Sequence, residues 1–234
     1  AEAKSLAQIN IEFYQTEHHN FVKRFKEIND RLWMLLESSE AAADEKITTT
    51  AITFGRFEEL NKIFDCRDDY RIVATRYAEL LGDNAAWLHN AEIMLNFLSS
   101  QGYNLGIVTN GISSVQRKKY ERHKLDRWMK CLVISDEVGS AKPSEKIFQY
   151  ALSEINRNRN VIGLQSDNKI LMVGDSLTSD GLGAKRCGFD FCLVGNFQYQ
   201  NTTDIPIHYG IQYVADLPYV LGYDQQYSDF LNQA

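Results

Sequence analysis

Residues 170–180 read ILMVGDSLTSD, an apolar run that ends in one glycine and is followed by two aspartates. The run predicts a buried strand over Ile170–Gly174. Its end places Asp175 at the carboxyl edge of a sheet, where open α/β folds bind ligands. Asp175 and Asp180, on one tight turn, could share a hard cation such as Mg²⁺, which prefers oxygen ligands. The alternative is an aspartate that caps a helix beside a second, solvated aspartate.

Helices and short apolar strands alternate around this segment. Three further strands are predicted at Leu105–Thr109, Cys131–Ile134 and Phe191–Val194, with helices between them. We expect the helix after the first of these strands to begin at Ser113, with Gln116 completing a capping box. Such a βαβα order is typical of an α/β fold in which a parallel sheet is covered by helices.

The chain before residue 85 has a different pattern. Apolar residues recur there at spacings of three and four, as in Phe21, Phe25 and Ile28, and no strand-like run interrupts them. This predicts a helical bundle over residues 5–82. We therefore expect two domains, a helical one at 1–85 and an α/β one at 86–234. The tail from Asn196 onward carries only weak strand signals and predicts little.

Composition narrows the class of protein. Of 234 residues, 44% are hydrophobic and 24% are charged, as in soluble globular proteins. The net charge of −6 argues against a nucleic acid or an anionic membrane as the main partner. No apolar run approaches the span of a bilayer, and the start of the sequence lacks a signal-peptide pattern. The four cysteines lack CxxC spacing, which favours buried, reduced thiols and a cytoplasmic protein.

Polar groups follow two other predicted strands. Thr109, Asn110 and Gly111 come at the end of the 105–109 strand, where a hydroxyl and free backbone N–H groups could cradle a phosphate. Lys142 and Pro143 lie just before a predicted helix, where the ammonium could neutralise a phosphate. Each signal alone has a structural alternative, an ordinary turn or a solvated lysine. Because these polar groups and the two aspartates follow successive strands of the predicted sheet, we expect them to form one phosphate-binding site.

These motifs resemble the haloacid dehalogenase-like (HAD) hydrolases. LGIVTNG at 105–111 is similar to the second motif of that family, AKP at 141–143 to the third, and GDSLTSD at 174–180 to the fourth. The segment VISDEVGSAKPSEKIFQYAL at 133–152 resembles the branch that includes pyrimidine 5′-nucleotidases. The resemblance covers nearly the whole chain, more loosely in the helical half.

The resemblance implies a Rossmann-like core with a parallel sheet and an inserted all-helical cap. It implies Mg²⁺-dependent hydrolysis of a phosphate monoester through an aspartyl-phosphate, with a nucleoside 5′-monophosphate as the favoured substrate. Thr109, Asn110 and Lys142 would bind the phosphate, and Thr109 and Lys142 would act in catalysis. Asp175 and Asp180 would hold Mg²⁺, although Asp180 could instead orient Lys142. We expect a small-molecule phosphate ester as partner and a monomer or weak homodimer.

One motif of the family is absent. The first motif, DxDx(T/V), supplies the nucleophilic aspartate and the general acid/base, and no two aspartates in the sequence are two positions apart. In the family its strand lies centrally, between the strand ending at Thr109 and the one ending at Gly174. Without it, both neighbours would leave unpaired backbone groups in the core. This favours truncation, a missing stretch of sequence or a strand supplied from elsewhere over a pseudoenzyme, and predicts that residues 1–234 alone are inactive.

Alternative functions remain open at this point. A phosphatase of another small ester, such as phosphoglycolate or a sugar phosphate, would use the same motifs. A 2-haloacid dehalogenase is disfavoured, because that chemistry needs no Mg²⁺ and its relatives tend to lack the aspartate pair of the fourth motif. A non-catalytic binding module would explain the absent nucleophile. In the helical half, Trp33, Arg56 and Phe57 are candidates for contacts with a nucleoside. For Trp33 and Phe57 the alternative is a place in the bundle core.

Overall fold

A computed structural model of the chain describes residues 11–37, 48–66, 68–157, 169–195 and 204–233. Its helices are α1 Ile11–Glu37, α2 Thr49–Phe64, α3 Tyr70–Asp83, α4 Ala91–Ser100, α5 Ser113–Arg122, α6 Ser135–Val138, α7 Glu145–Arg157, α8 Leu182–Cys187, α9 Leu217–Val220 and α10 Asp224–Leu231. Its strands are β1 Leu105–Thr109, β2 Met129–Ile134, β3 Leu171–Gly174, β4 Asp190–Val194 and β5 Tyr209–Ile211.

The chain forms two compact units. The first combines the described part of residues 1–85 with 109–125 and 134–141, and the second combines 86–108 and 126–133 with the described part of 142–234. Helices α1 to α3 confirm the helical prediction for the described part of residues 5–82. The polar stretch at 156–168 predicts a surface excursion, and its residues 158–168 lie outside the described residues.

The core of the first unit is built from the apolar faces of α1, α2 and α3. The Tyr77 ring lies 5.4 Å from the Phe25 ring and 5.2 Å from the Phe57 ring, between ring centroids. All three side chains are buried. Tilted and edge-on aromatic packing of this kind adds to the free energy gained from burial alone. The repeat of apolar residues at three and four positions therefore faces inward, as the sequence predicted.

The strands of the second unit lie in two separate sheets. In the first sheet, β4 lies between β3 and β5 and is parallel to both, with Leu171 opposite Asp190 and Cys192 opposite Tyr209. In the second sheet, β1 pairs with β2. The predicted strands are confirmed with small shifts, the largest at β2, which begins at Met129. The sequence did not predict β5, because a strand of three residues is too short to show a period.

An apolar cleft of about 460 Å³ is lined by residues of both sheets. Strands β1 and β3 are both edge strands, and both line this cleft together with side chains of α4, α7 and α9. The β3 residues are only partly buried, whereas the central residues of β4 are fully buried. The sheet is therefore interrupted between β1 and β3, where the resemblance places the strand of the absent first motif.

The cysteines are free thiols. Cys131 and Cys192 are buried, which confirms the prediction for these two, whereas Cys66 and Cys187 are partly exposed. Burial raises the pKa of Cys131, Cys187 and Cys192 to about 11. Within the described ranges, no helix has both the length and the apolar character needed to cross a bilayer.

Candidate active site

The turn after β3 is organised around Ser176 and Asp180. One wide π-helical turn, Leu177–Gly181, follows the strand. The Ser176 hydroxyl accepts a hydrogen bond from the Ser179 N–H at 3.1 Å, and Asp180 Oδ2 accepts from the Ser176 N–H at 3.2 Å. These reciprocal bonds satisfy backbone donors at the start of the turn. Asp175 precedes the turn and is exposed to solvent.

Gly174 is required by this turn. A Cβ atom at this position would lie 2.1 Å from Asp180 Oδ2 and 2.3 Å from Asp180 Cγ, far inside van der Waals contact. The last residue of β3 must therefore lack a side chain so that the Asp180 carboxylate can pass beside the strand. Gly174 and Asp180 of the GDSLTSD segment therefore depend on each other, because the Asp180 side chain occupies the space that a side chain at position 174 would need.

Lys142 and Asp180 form a buried ion pair. Lys142 Nζ lies 2.6 Å from Asp180 Oδ1, and the two side chains are 12% and 4% exposed. The loop that carries Lys142 is fixed in addition by Arg186, whose Nη1 donates to the Pro143 carbonyl at 3.1 Å. Both carboxylate oxygens of Asp180 are thus engaged, one by the ammonium and one by the Ser176 N–H. In this geometry Asp180 orients Lys142.

We expect Asp180→Asn to lower the free energy of unfolding by about 3 kcal/mol or more. The substitution removes the negative charge that compensates a nearly buried ammonium, and breaking such a pair typically costs about 3–5 kcal/mol. Urea denaturation monitored by circular dichroism measures the change.

The matched control is Asp83→Asn. Asp83 pairs with Lys118 at 2.7 Å, but both side chains are 46% exposed. Exposed pairs contribute about 1 kcal/mol or less. Equal losses in the two variants would contradict a special role for the buried pair.

Thr109 and Asn110 lie at the carboxyl end of β1, in the first unit. The Thr109 side chain is half-buried, and its hydroxyl lies 3.5 Å from the Asn110 carbonyl oxygen. The Gly111 N–H donates to the Ser135 hydroxyl at 3.1 Å. The expectation that the N–H groups of this turn are free to bind a phosphate is therefore wrong for Gly111.

Sequence reasoning missed the segment Ser135-Asp136-Glu137, which follows β2. The predicted capping box at Ser113 is also wrong, because α5 has Ile112 at its N-cap and no side-chain cap of its own. Instead, the Ser113 N–H donates to Asp136 Oδ2 at 3.1 Å, and the Ser113 hydroxyl donates to Glu137. The available signal was the run of three polar residues directly after an apolar strand.

Glu137 is fixed by Arg117. Arg117 Nε and Nη2 lie 2.5 Å and 2.7 Å from the two carboxylate oxygens of Glu137. The hydrogen bond from Arg117, with a smaller contribution from Ser113, holds the pKa of the Glu137 carboxyl below its usual range. Such a bidentate pair fixes orientation as well as charge.

The helical candidates belong mostly to the bundle core. Arg56 is 5% exposed and Phe57 is 3% exposed. Arg56 Nη1 donates to Asn29 Oδ1 at 2.6 Å, and its guanidinium carbon lies 4.9 Å from the centre of the Tyr77 ring. Trp33 is only partly buried and donates to the same Asn29 oxygen at 3.2 Å. The core alternative therefore holds for Phe57 but only in part for Trp33, and Arg56 is buried as well.

The side chains at the end of β3 fit a magnesium ion that completes its shell with other ligands. The exposed carboxylate of Asp175 is a hard oxygen ligand. Among the described residues, no group of three or more His, Cys, Asp or Glu side chains could hold a metal. Mg²⁺ commonly takes one or two protein carboxylates and fills the remaining positions with waters and substrate phosphate. Asp175 suits that mode of binding.

The fold agrees with comparisons to known proteins. The family model of the haloacid dehalogenase-like hydrolases matches residues 21–194. The chain therefore belongs to the haloacid dehalogenase-like hydrolases, with a Rossmann-like core and a helical cap. The match includes the three motifs that follow β1, precede α7 and follow β3.

Individual relatives extend this result. The chain is 27% identical to the HAD-hydrolase YfnB of Bacillus subtilis over 88% of this chain and 81% of that protein. It is 31% identical to the pyrimidine 5′-nucleotidase YjjG of Escherichia coli over 72% of this chain and 68% of that protein. The crystal structure of magnesium-bound YfnB superposes with a TM-score of 0.72 at 23% identity, over 93% of this chain and 91% of that one.

Proposed function

We propose that this chain forms most of a Mg²⁺-dependent phosphatase for small phosphate monoesters, with nucleoside 5′-monophosphates as the favoured class. The observation that carries the proposal is the buried Lys142–Asp180 pair next to the exposed carboxylate of Asp175, all at the carboxyl end of β3. This set offers a fixed cation and a hard-metal ligand at one sheet edge, as phosphoryl transfer requires. The pyrimidine 5′-nucleotidase among the relatives supports the substrate class.

Each residue has one role in this proposal. Thr109 and Asn110 hydrogen-bond phosphoryl oxygens. Lys142, oriented by Asp180, offsets the charge of the phosphate and of the attacking carboxylate. Asp175 holds Mg²⁺ directly, and the bound ion supplies electrostatic stabilisation of the charge that builds up in the transition state. Asp180 acts on the ammonium, since both of its oxygens are already engaged.

The chemistry proceeds in two displacements. An aspartate oxygen forms a bond to phosphorus while the ester P–O bond breaks, and the leaving alcohol takes a proton from a general acid. Water then attacks phosphorus and gives a proton to the same general acid/base, while the bond between phosphorus and the aspartate oxygen breaks, which releases inorganic phosphate and restores the carboxylate. Residues 1–234 contain no Asp-Xaa-Asp pair to supply these two carboxylates. The proposal therefore requires a further strand that brings the nucleophile.

A substrate panel tests the proposal. The chain, with and without such a strand, is assayed on nucleoside monophosphates, phosphoglycolate, sugar phosphates and a 2-haloacid, in Mg²⁺ and in chelator. We expect turnover only with the strand and Mg²⁺, fastest on nucleoside monophosphates. Undiminished turnover in chelator would refute the metal role. Equal rates on all esters would remove the nucleotidase assignment but keep the phosphatase, and halide release without Mg²⁺ would favour the dehalogenase.

A further inference from the structure

The peptide group of Gly111 is held at both ends by side chains distant in sequence. Its N–H donates to Ser135 Oγ at 3.1 Å, and its carbonyl accepts from Thr49 Oγ1 at 3.4 Å. Ser135 and Thr49 are 4% and 3% exposed. Buried hydrogen bonds of this kind are costly to lose, because the partner left behind has no access to water. The turn that follows Thr109 is therefore fixed in one conformation.

Asp136 joins the same group of contacts. Its Oδ1 accepts from the Thr50 hydroxyl at 3.3 Å and lies 3.4 Å from the Thr49 hydroxyl, whose single proton it shares with the Gly111 carbonyl. Its Oδ2 accepts from the Ser113 N–H at 3.1 Å. A carboxylate is thus placed at the first turn of α5, where helix N–H groups favour an anion. The Gly111 and Ser113 amides are both used inside the protein and are not donors for a substrate phosphate.

We propose that Ser135, Asp136 and Thr49 are positioning residues that fix the Thr109–Gly111 turn and keep the Gly111 amide from binding a substrate phosphate. The inference rests on the proposed phosphatase function of this turn. It goes further by assigning a role to three side chains outside the LGIVTNG, AKP and GDSLTSD motifs. A donor held within a fraction of an ångström of its working position binds an anion without first losing conformational freedom.

We call the side chains of Ser135, Asp136 and Thr49 the clamp. Its contact with α2 is made at the start of that helix. Thr49 is the first residue of α2, and Thr48 caps that helix by accepting from the Ala51 N–H. The hydroxyl of Thr49 is therefore free of the capping role and points at the Gly111 carbonyl and Asp136. A helix of the cap bundle is in this way bonded directly to the turn.

Three variants of the full chain test the clamp. Ser135→Ala removes the acceptor for the Gly111 N–H, and Thr49→Val removes the donor while keeping the volume. Thr49→Ser keeps the hydroxyl and serves as the rescue variant. The control is Thr53→Val, since Thr53 is equally buried in α2 but donates only to the Thr49 carbonyl, at 3.0 Å.

Two measurements distinguish a local loosening of the Thr109–Gly111 turn from a general loss of stability. We expect the Gly111 amide to exchange with deuterium at least about tenfold faster in Ser135→Ala, relative to amides of β4. We expect the Kd of inorganic phosphate, measured by NMR titration with Mg²⁺ present, to rise about three- to tenfold in Ser135→Ala and Thr49→Val. Thr49→Ser and Thr53→Val should stay within about twofold of the unmodified chain, a shift of about 0.4 kcal/mol or less.

The outcomes distinguish the clamp from the proposed function. If Ser135→Ala and Thr49→Val leave Gly111 exchange and phosphate binding unchanged, the clamp is overturned and the phosphatase proposal stands. If the unmodified chain binds no phosphate even when the strand with Asp-Xaa-Asp is supplied, the phosphatase proposal fails and the clamp loses its purpose. Faster Gly111 exchange in Ser135→Ala would then still show that Ser135 fixes the turn. Should Ser135→Ala fail to fold, the contrast between Thr49→Val and Thr49→Ser decides.

Discussion

Residues 1–234 alone are expected to hydrolyse no phosphate ester, and to gain Mg²⁺-dependent turnover when an apolar strand ending in Asp-Xaa-Asp is added in trans. The probe is a synthetic peptide of about eight residues, near the usual length of a strand, with valine and isoleucine before the two aspartates. The measurement is release of inorganic phosphate from a nucleoside monophosphate, with and without peptide.

The physical reason lies in the interrupted sheet. Strands β1 and β3 are edge strands, and both line the apolar cleft of about 460 Å³. An extended peptide can satisfy the unpaired N–H and C=O groups of such edges, which is how strand addition gains affinity. Each valine or isoleucine that it buries contributes about 1.5–3 kcal/mol. If the peptide runs parallel to β3, its aspartates reach the same sheet edge as Asp175.

A matched peptide distinguishes the effect of binding in the cleft from the effect of supplying the nucleophilic aspartate. Replacing the first aspartate of the peptide with asparagine leaves its length and apolar character unchanged. Both peptides should raise the melting temperature of the chain equally, since both bind the folded state. Only the aspartate peptide should restore turnover, with the asparagine peptide slower by a factor on the order of 10³ or more. Turnover by the chain alone, or none after the aspartate peptide has bound, would count against the proposal.

The elements that could be predicted from sequence are those with strong local signals. The apolar run before Asp175 predicted β3 within one residue, because an apolar run bounded by glycine needs no tertiary information. The same holds for β1, whose end at Thr109 was predicted exactly as the structure has it. Helices α1 to α3 followed from the repeat of apolar residues. In each case the pattern lies within a few residues of the element that it describes.

The features that were missed depend on contacts between distant residues. The cap of α5 was assigned to Ser113 and Gln116, but the acceptor is Asp136, which is 23 residues from Ser113. The role of Ser135 follows from a bond to Gly111 across 24 residues. The choice between metal ligand and lysine partner for Asp180 was left open by sequence, because it depends on where Lys142 Nζ lies. Tertiary geometry overrides local capping preference in such cases.

The second large effect is expected for Asp175→Asn. In the chain supplied with the aspartate strand, this substitution should lower Mg²⁺-dependent turnover by about 100-fold or more. The exposed Asp175 carboxylate is the charged oxygen ligand available to a metal at the end of β3, and an amide oxygen is a much weaker ligand for a hard cation. The free energy of unfolding should change by only about 0.5 kcal/mol, since the side chain is exposed.

The metal role can be measured without turnover. Titration of the chain with Mn²⁺ as a stand-in for Mg²⁺, followed by water-proton relaxation, should show affinity at least about tenfold weaker in Asp175→Asn. The matched control is Asp126→Asn, another exposed aspartate, which precedes β2 at the strand end opposite to the proposed site. A loss of turnover with unchanged Mn²⁺ affinity would exclude Asp175 as the metal ligand.

Because Asp180 is engaged by Lys142 and Ser176, Asp180→Asn should weaken Mn²⁺ binding less than Asp175→Asn does. If the order of the two variants were reversed, Asp180 would be the ligand and its pairing with Lys142 would have to open when the metal binds.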